Sequence, residues 1–183
     1  MKEVIEVTEK NIKEVKKYLK KLSCKNKKYD ITISTTLNSN EIEDLKKIVT
    51  ALNIEDIEKR YSYIYDEACY YLDNEFKTKN ICDFQDNKCI AVRKKTCHDS
   101  DYGCCYGINR GVCKNLENKK CKISSLSCKL FTCRYLRKKG IKYRVKDIPI
   151  LDFFFNIREK YIIEYSIFKD KDEIIKELLK VRF

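Results

Sequence analysis

The chain has 183 residues, 43% of them hydrophobic and including 13 Tyr and 8 Phe, which suits one folded domain and excludes a disordered polypeptide. Its formal charge of +12 comes from 40 basic and 28 acidic residues, interspersed as on solvated helix faces, so charge alone is weak support for nucleic-acid binding. Metal-bound cysteine thiolates would lower that total further.

The N-terminal stretch "MKEVIEVTEKNIKEVKKYLKKL" has acids and lysines where a signal peptide needs an apolar run of roughly 7–15 residues. Residues 9–23 predict a helix capped by Thr8, with Ile12, Val15, Leu19 and Leu22 on its buried side. Lys10, Lys13, Lys16, Lys17, Lys20, Lys21, Lys25, Lys27 and Lys28 occupy its other faces and the following loop, opposed only by Glu14. A solvated helix explains them most simply; binding to RNA or another acidic surface is the alternative. "YDITIST" alternates as a short strand, and Asn40 is expected to cap a helix buried through Ile42, Leu45, Ile48, Val49 and Leu52. Residues 55–76 continue helically, with Tyr61, Tyr63, Tyr65, Tyr70 and Tyr71 in mainly packing roles.

"NICDFQDNKCIAVR" predicts a hairpin of Ile81–Phe84 and Cys89–Val92 turned at Asp86–Asn87, with Cys82 and Cys89 on either side of the turn. Residues 97–124 read as irregular, and a loop of that length needs a function or a tie other than secondary structure. "SSLSCKLFTCRYLRKKG" predicts one helix capped by Ser124 or Ser125 and closed by Gly140. On a regular helix Cys128 and Cys133 would lie about 140° apart, which favours Cys128 over Cys133 as a ligand. The tail offers a strand-like "IKYRV", a break at Pro149, an apolar helix around Leu151–Ile163, and a last helix with Asp170 and Glu173 in a capping box. "IPILDFFFNI" is too short for a membrane span and carries Asp152. The expected fold is a mostly helical α+β domain over 1–183 with small strands, one hairpin and a cysteine-rich metal-binding segment at 82–133. The expected location is the cytoplasm.

The cysteines are the strongest signal. Nine of eleven lie between Cys82 and Cys133, together with three of the four glycines, Gly103, Gly107 and Gly111; only Cys24 and Cys69 fall outside. An odd count without an export signal disfavours a disulfide scaffold. Burial as small hydrophobes suffices for Cys24 and Cys69 but not for nine thiols in 52 residues. Metal ligation remains, and soft thiolate sulfur selects zinc, Cu(I) or iron–sulfur. No C-x₂-C pair occurs, which disfavours a zinc ribbon and the ferredoxin run alike, and His98 is the only histidine. Widely spaced thiolates near glycines suit a cluster several ångströms across, so an iron–sulfur centre is favoured, with zinc as the alternative.

The order "GCCYGINRGVCKNLENKKCKISSLSCKLFTC" resembles the YkgJ/FliB-like cysteine-cluster family. The likeness rests on the pair Cys104–Cys105, Cys113 with Leu116, Cys121 with Ile123, and Cys128 with Phe131. Cys97 stands farther from the pair than the family's preceding cysteine, and the family's Arg-Pro between the last two is absent. The resemblance implies zinc or iron binding, and its flagellin-methylating members imply an iron–sulfur cluster. The expected ligands are therefore Cys104, Cys105, Cys113, Cys121 and Cys128, with Cys97 and Cys133 in reserve; four suffice for a [4Fe–4S] cluster. The corresponding role is electron transfer, redox sensing or service as a subunit beside a protein redox partner. A zinc-stabilised module binding nucleic acid through the Lys-rich helix is a second reading. A cluster-containing, methyltransferase-like modifying enzyme is a third. No nucleotide-binding glycine loop occurs, and Asp99 and Asp101 beside His98 suit a turn better than a catalytic set.

Overall fold

The computed structural model describes residues 3–23, 25, 27–81, 83–85, 88–89, 116–117, 120–121 and 124–182, the short strands among them by backbone alone. Strand β1 (Glu3–Glu6) pairs in parallel with β2 (Ile31–Ser34), Glu3 opposite Ile31 and Glu6 opposite Ser34. Parallel neighbours need a crossover, supplied by helix α1 (Ile12–Ser23), which buries Val15 and Leu19. The alternation around Ile5 that makes β1 a strand was not recognised in the sequence. Thr8 is not the expected cap of α1; its N–H instead donates to Asn11 Oδ1, and the helix begins one residue beyond Asn11.

Helix α2 (Asn40–Asn53) is capped by Ser39, one residue before the expected Asn40, with Ser39 Oγ accepting the Ile42 N–H. Its last residue, Asn53, closes the outer edge of β2: the Ile31 N–H donates to Asn53 Oδ1 at 2.9 Å and Asn53 Nδ2 donates to the Ile31 carbonyl at 2.8 Å. Helix α3 (Ile57–Lys79), capped by Asp56, is the central element, with Tyr61, Ile64, Tyr65, Ala68 and Leu72 wholly buried.

The chain then forms two small antiparallel pairs. Strands β3 (Phe84–Gln85) and β4 (Lys88–Cys89) place the expected hairpin, with Phe84 opposite Cys89; the rest of its expected span, residues 90–92, lies outside the described residues. Strands β5 (Leu116–Glu117) and β6 (Lys120–Cys121) form a second pair inside a stretch read as irregular. Two residues per strand is too short for any periodicity to register.

The helix expected over 124–140 is two: α4 (Leu126–Leu130) and α5 (Arg134–Lys138), separated by extended backbone. Gly140 closes α5 as expected. At φ 75° it donates its N–H to the Arg137 carbonyl while the Ile141 N–H reaches the Leu136 carbonyl, the paired bonds of a Schellman motif. "IKYRV" forms no strand and runs into a 3₁₀ turn at Val145–Asp147. The apolar helix of the tail is also divided, into α6 (Pro149–Phe154) and α7 (Ile157–Tyr165), because Asn156 starts a new helix with a capping box to Glu159. The Asp170–Glu173 capping box opens α8 (Lys171–Arg182) as expected.

Helix α3 packs against α2, α4, α6 and α8, and one apolar cluster runs from Val7 to Leu178. The fold is mostly helical α+β. Among the described residues no helix is long and apolar enough to cross a membrane.

Two buried polar groups tie the layers together. The Arg60 guanidinium, 1% exposed, donates to the Leu52 and Ile54 carbonyls at the end of α2 and to the Lys27 carbonyl ahead of β2. The Tyr61 hydroxyl donates to Glu159 and accepts from Arg182, joining α3, α7 and α8. Burial, then the Glu159 contact, pushes the Tyr61 phenol far above its ordinary pKa, so it remains a donor throughout the physiological range. Replacing Arg60 with Met removes the side-chain donor from the Lys27 and Ile54 carbonyls, and urea unfolding is expected to show a loss of about 3 kcal/mol.

Candidate metal centre

The cysteine-rich segment leaves from and returns to the same helix. It departs at the end of α3, where Asn80 takes the left-handed conformation (φ 40°) and its carbonyl accepts the Asp83 N–H at 2.8 Å. Asp83 also has positive φ, and its carboxylate accepts from Lys139 at 2.7 Å and from the Tyr135 hydroxyl, both of α5 or its end. Those two contacts, Lys139 first, hold the Asp83 carboxyl below the usual carboxylate range. Its contribution is complete above the ordinary Asp pKa and fades as pH falls through the lower folded value.

The return is fastened at Ser124, again at positive φ. Its carbonyl accepts from the Tyr65 hydroxyl at 3.1 Å and from the Cys69 thiol at 3.4 Å. The Leu126 N–H donates back to the Tyr65 oxygen at 2.7 Å, so a single buried hydroxyl serves both sides of the bend. Beyond it Lys129 pairs with Asp73, and the Ser127 hydroxyl donates to the Ile163 carbonyl. Left-handed backbone at non-glycine residues costs roughly 1 kcal/mol or more and persists where surrounding bonds over-determine it. Three such residues, Asn80, Asp83 and Ser124, stand at the two mouths of the segment.

A second, smaller apolar cluster sits between the mouths. Ile81, Cys133 and Leu136 are buried there against Phe76, Phe131, Tyr135, Ile141 and Tyr143. Cys133 heads α5 as its N-cap residue and is 8% exposed. Because extended backbone at Phe131–Cys133 divides the two helices, the 140° separation expected on one regular helix does not apply. Cys128, on α4, is half-buried, and its Sγ accepts the Phe168 N–H at 3.4 Å.

Of the remaining expected ligands, Cys121 is placed by backbone on β6, as Cys89 is on β4. Cys97, Cys104, Cys105 and Cys113 lie outside the described residues, as do Cys24, Cys82, His98 and the three glycines of the segment. Among the described residues no group of three or more His, Cys, Asp or Glu side chains is gathered to hold a metal. The donor set that can be tested is therefore Cys128 and Cys133. Cys128 suits a soft metal, being half-buried with a backbone N–H directed at its sulfur, as around metal-ligating thiolates. Cys69 does not, since burial pushes its thiol up to about 12 and keeps it protonated. It packs at the return of the segment, as the sequence suggested. The Tyr65 and Asp83 anchors have no local sequence signature, because each joins residues more than fifty positions apart.

The Lys-rich face of α1 is partly engaged within the fold. Lys16 pairs with Glu41 and Lys20 donates to the Phe153 carbonyl at the end of α6, while Lys28 of the following loop lies 3.9 Å from Glu55. Compared with known proteins, the chain matches no family model, no curated protein and no solved structure.

The anchors generate two contrasting expectations. Tyr65→Phe removes the hydroxyl between Ser124 and Leu126 and is expected to cost about 2 kcal/mol in chemical denaturation. The Ser125 hydroxyl is buried without a partner, so Ser125→Ala is expected to leave stability unchanged or raise it by about 1 kcal/mol in the same assay. In thiol labelling of the native protein at pH 8, Cys69 should stay unmodified.

Proposed function

We propose that this chain is a cytoplasmic metal protein carrying a cysteine-ligated iron–sulfur centre, working in electron transfer or redox sensing beside a protein redox partner or in a larger complex. The observation that carries the reading is the concentration of nine cysteines between Cys82 and Cys133, on a segment whose ends are both bonded to the framework of α3. Fixing the ends of a long loop lowers the entropy lost when its interior is gathered round a common centre. A protein with no use for that gathering gains little from such anchors. The resemblance to the YkgJ/FliB-like cysteine-cluster family supports the same metal chemistry.

The ligands proposed are Cys104, Cys105, Cys113, Cys121 and Cys128, with Cys97 and Cys133 in reserve. An iron–sulfur cluster, when bound, supplies a one-electron redox couple. The chain's own contribution is to supply the thiolates and to limit water around them, with Phe131, Ile81 and Leu136 forming the apolar ground beside Cys133. The N–H of Phe168 is directed at the Cys128 sulfur, a bond of the kind that orients a ligating sulfur.

Metal quantification on single-cysteine variants purified without oxygen tests this reading. Cys128→Ser should lose most of its bound iron, while Cys69→Ala should retain it. Equal iron in both would remove Cys128 from the site, and full iron in every cysteine variant of the segment would remove the proposed centre altogether.

A further inference from the structure

Helix α7 carries apolar side chains on two opposite sides. Inward it buries Ile163 and the paired Glu159. Outward, Ile157 is 87% exposed and Tyr161 and Tyr165 are each 63% exposed, followed by Phe168 at 44%. The first three are spaced by four residues and form a single ridge. The Tyr161 and Tyr165 rings lie against each other, centroids 4.5 Å apart, making one continuous aromatic surface. At 150–250 Å² for a fully buried side chain of this size, the stripe presents on the order of 500 Å². That is the size of the largest apolar patch on an ordinary monomer, a patch that is often functional.

The charges beside the stripe identify what covers it. Arg158 stands in the first turn of α7 and Glu164 in the last, the reverse of what the helix dipole favours. Among the described residues neither has an ion-pair partner. Both positions are three residues from Tyr161, one on each side. A two-fold axis through Tyr161 would set Ile157 against the partner's Tyr165 and bring Arg158 beside the partner's Glu164, twice. It would also place Arg158 near the negative end of the partner helix. Every unfavourable feature of the isolated helix becomes favourable in that arrangement.

We propose that α7 is the dimer interface of this protein, packed antiparallel against a second copy of itself. Ridges at four-residue spacing interdigitate with a crossing of about 50°, the commonest helix–helix class. An open depression adjoins the Ile157 end, its wall made by Phe155, Ile157 and Val181 and its rim charged with Lys20, Asp152 and Lys160, which suits the amphipathic ring of the partner's Tyr165. The isologous contact joins like patches, as two-fold dimers do. With the rim and the depression added, the buried area approaches the ~800 Å² per partner of a standard interface. None of these side chains is a proposed ligand, and only Phe168 meets the proposed metal site, through its backbone N–H.

Sedimentation analysis of the full, metal-loaded chain between about 1 and 100 µM tests it by charge exchange. Wild type is expected to be a dimer. R158E and E164R each place like charges at both contacts and should weaken association at least about tenfold. Mixing equal amounts of the two restores both opposite-charge pairs and should recover the dimer, as should the double variant R158E/E164R. Tyr161→Glu should be a monomer with unchanged iron content. A wild type monomeric throughout, or single variants whose mixture fails to recover association, would overturn the proposal. So would loss of iron in Tyr161→Glu, which would mean that this chain's own cysteine-rich segment covers the stripe.

Discussion

A buried phenol oxygen holds the molecule's two halves in register. Tyr65 lies on the central helix with no exposure, accepts from the Leu126 N–H and donates to the Ser124 carbonyl. Without that oxygen the buried Leu126 N–H would be left without this acceptor, at a cost of about 1–3 kcal/mol, and the Ser124 carbonyl would keep only the Cys69 thiol. Around that oxygen the chain turns at positive φ, enters α4, and carries Cys128 to its place beside Phe168. At the far end of the same helix, Asp83 holds α5 through Tyr135 and Lys139. A long cysteine-bearing excursion is thereby mounted on one rigid rod, with its two roots fixed independently of whatever its interior binds.

The long helices were legible in the sequence because their burial is periodic. Ile42, Leu45, Ile48, Val49 and Leu52 recur at three- and four-residue spacing and are buried as that spacing requires. The capping box at Asp170 and the glycine stop at Gly140 were legible for the same local reason. What failed was boundary placement where two local signals competed. Asn156 sits inside an apolar run, yet its side chain accepts from both the Arg158 and Glu159 N–H groups and starts a new helix. Extended backbone at Phe131–Cys133 divides a stretch whose hydrophobic pattern reads as continuous, because Phe131 and Cys133 turn into a second cluster with Ile81. Strand β1 is held by its partner β2 across more than twenty residues, a pairing that no window of sequence reveals.

For the site, the thiol count and spacing were legible and the framework was not. Cysteine density points to metal whatever the fold, since few other uses exist for so many thiols in so short a segment. The distinction between Cys69 and Cys128 is visible only in three dimensions. One is sealed against the core with its proton retained, and the other is half-exposed with an N–H directed at its sulfur. Basic residues show the converse: the run along α1 looks like a surface for nucleic acid, while several of its lysines already have partners in the fold.

The most direct test of the account is an ultraviolet–visible spectrum, with iron, acid-labile sulfide and zinc determined on the same oxygen-free preparation. The account predicts broad brown absorption near ~400 nm, accompanied by iron and sulfide in cluster proportion. A colourless protein holding stoichiometric zinc would contradict the redox role and leave a structural site. A preparation with neither metal, its thiols all free or paired, would contradict the central claim.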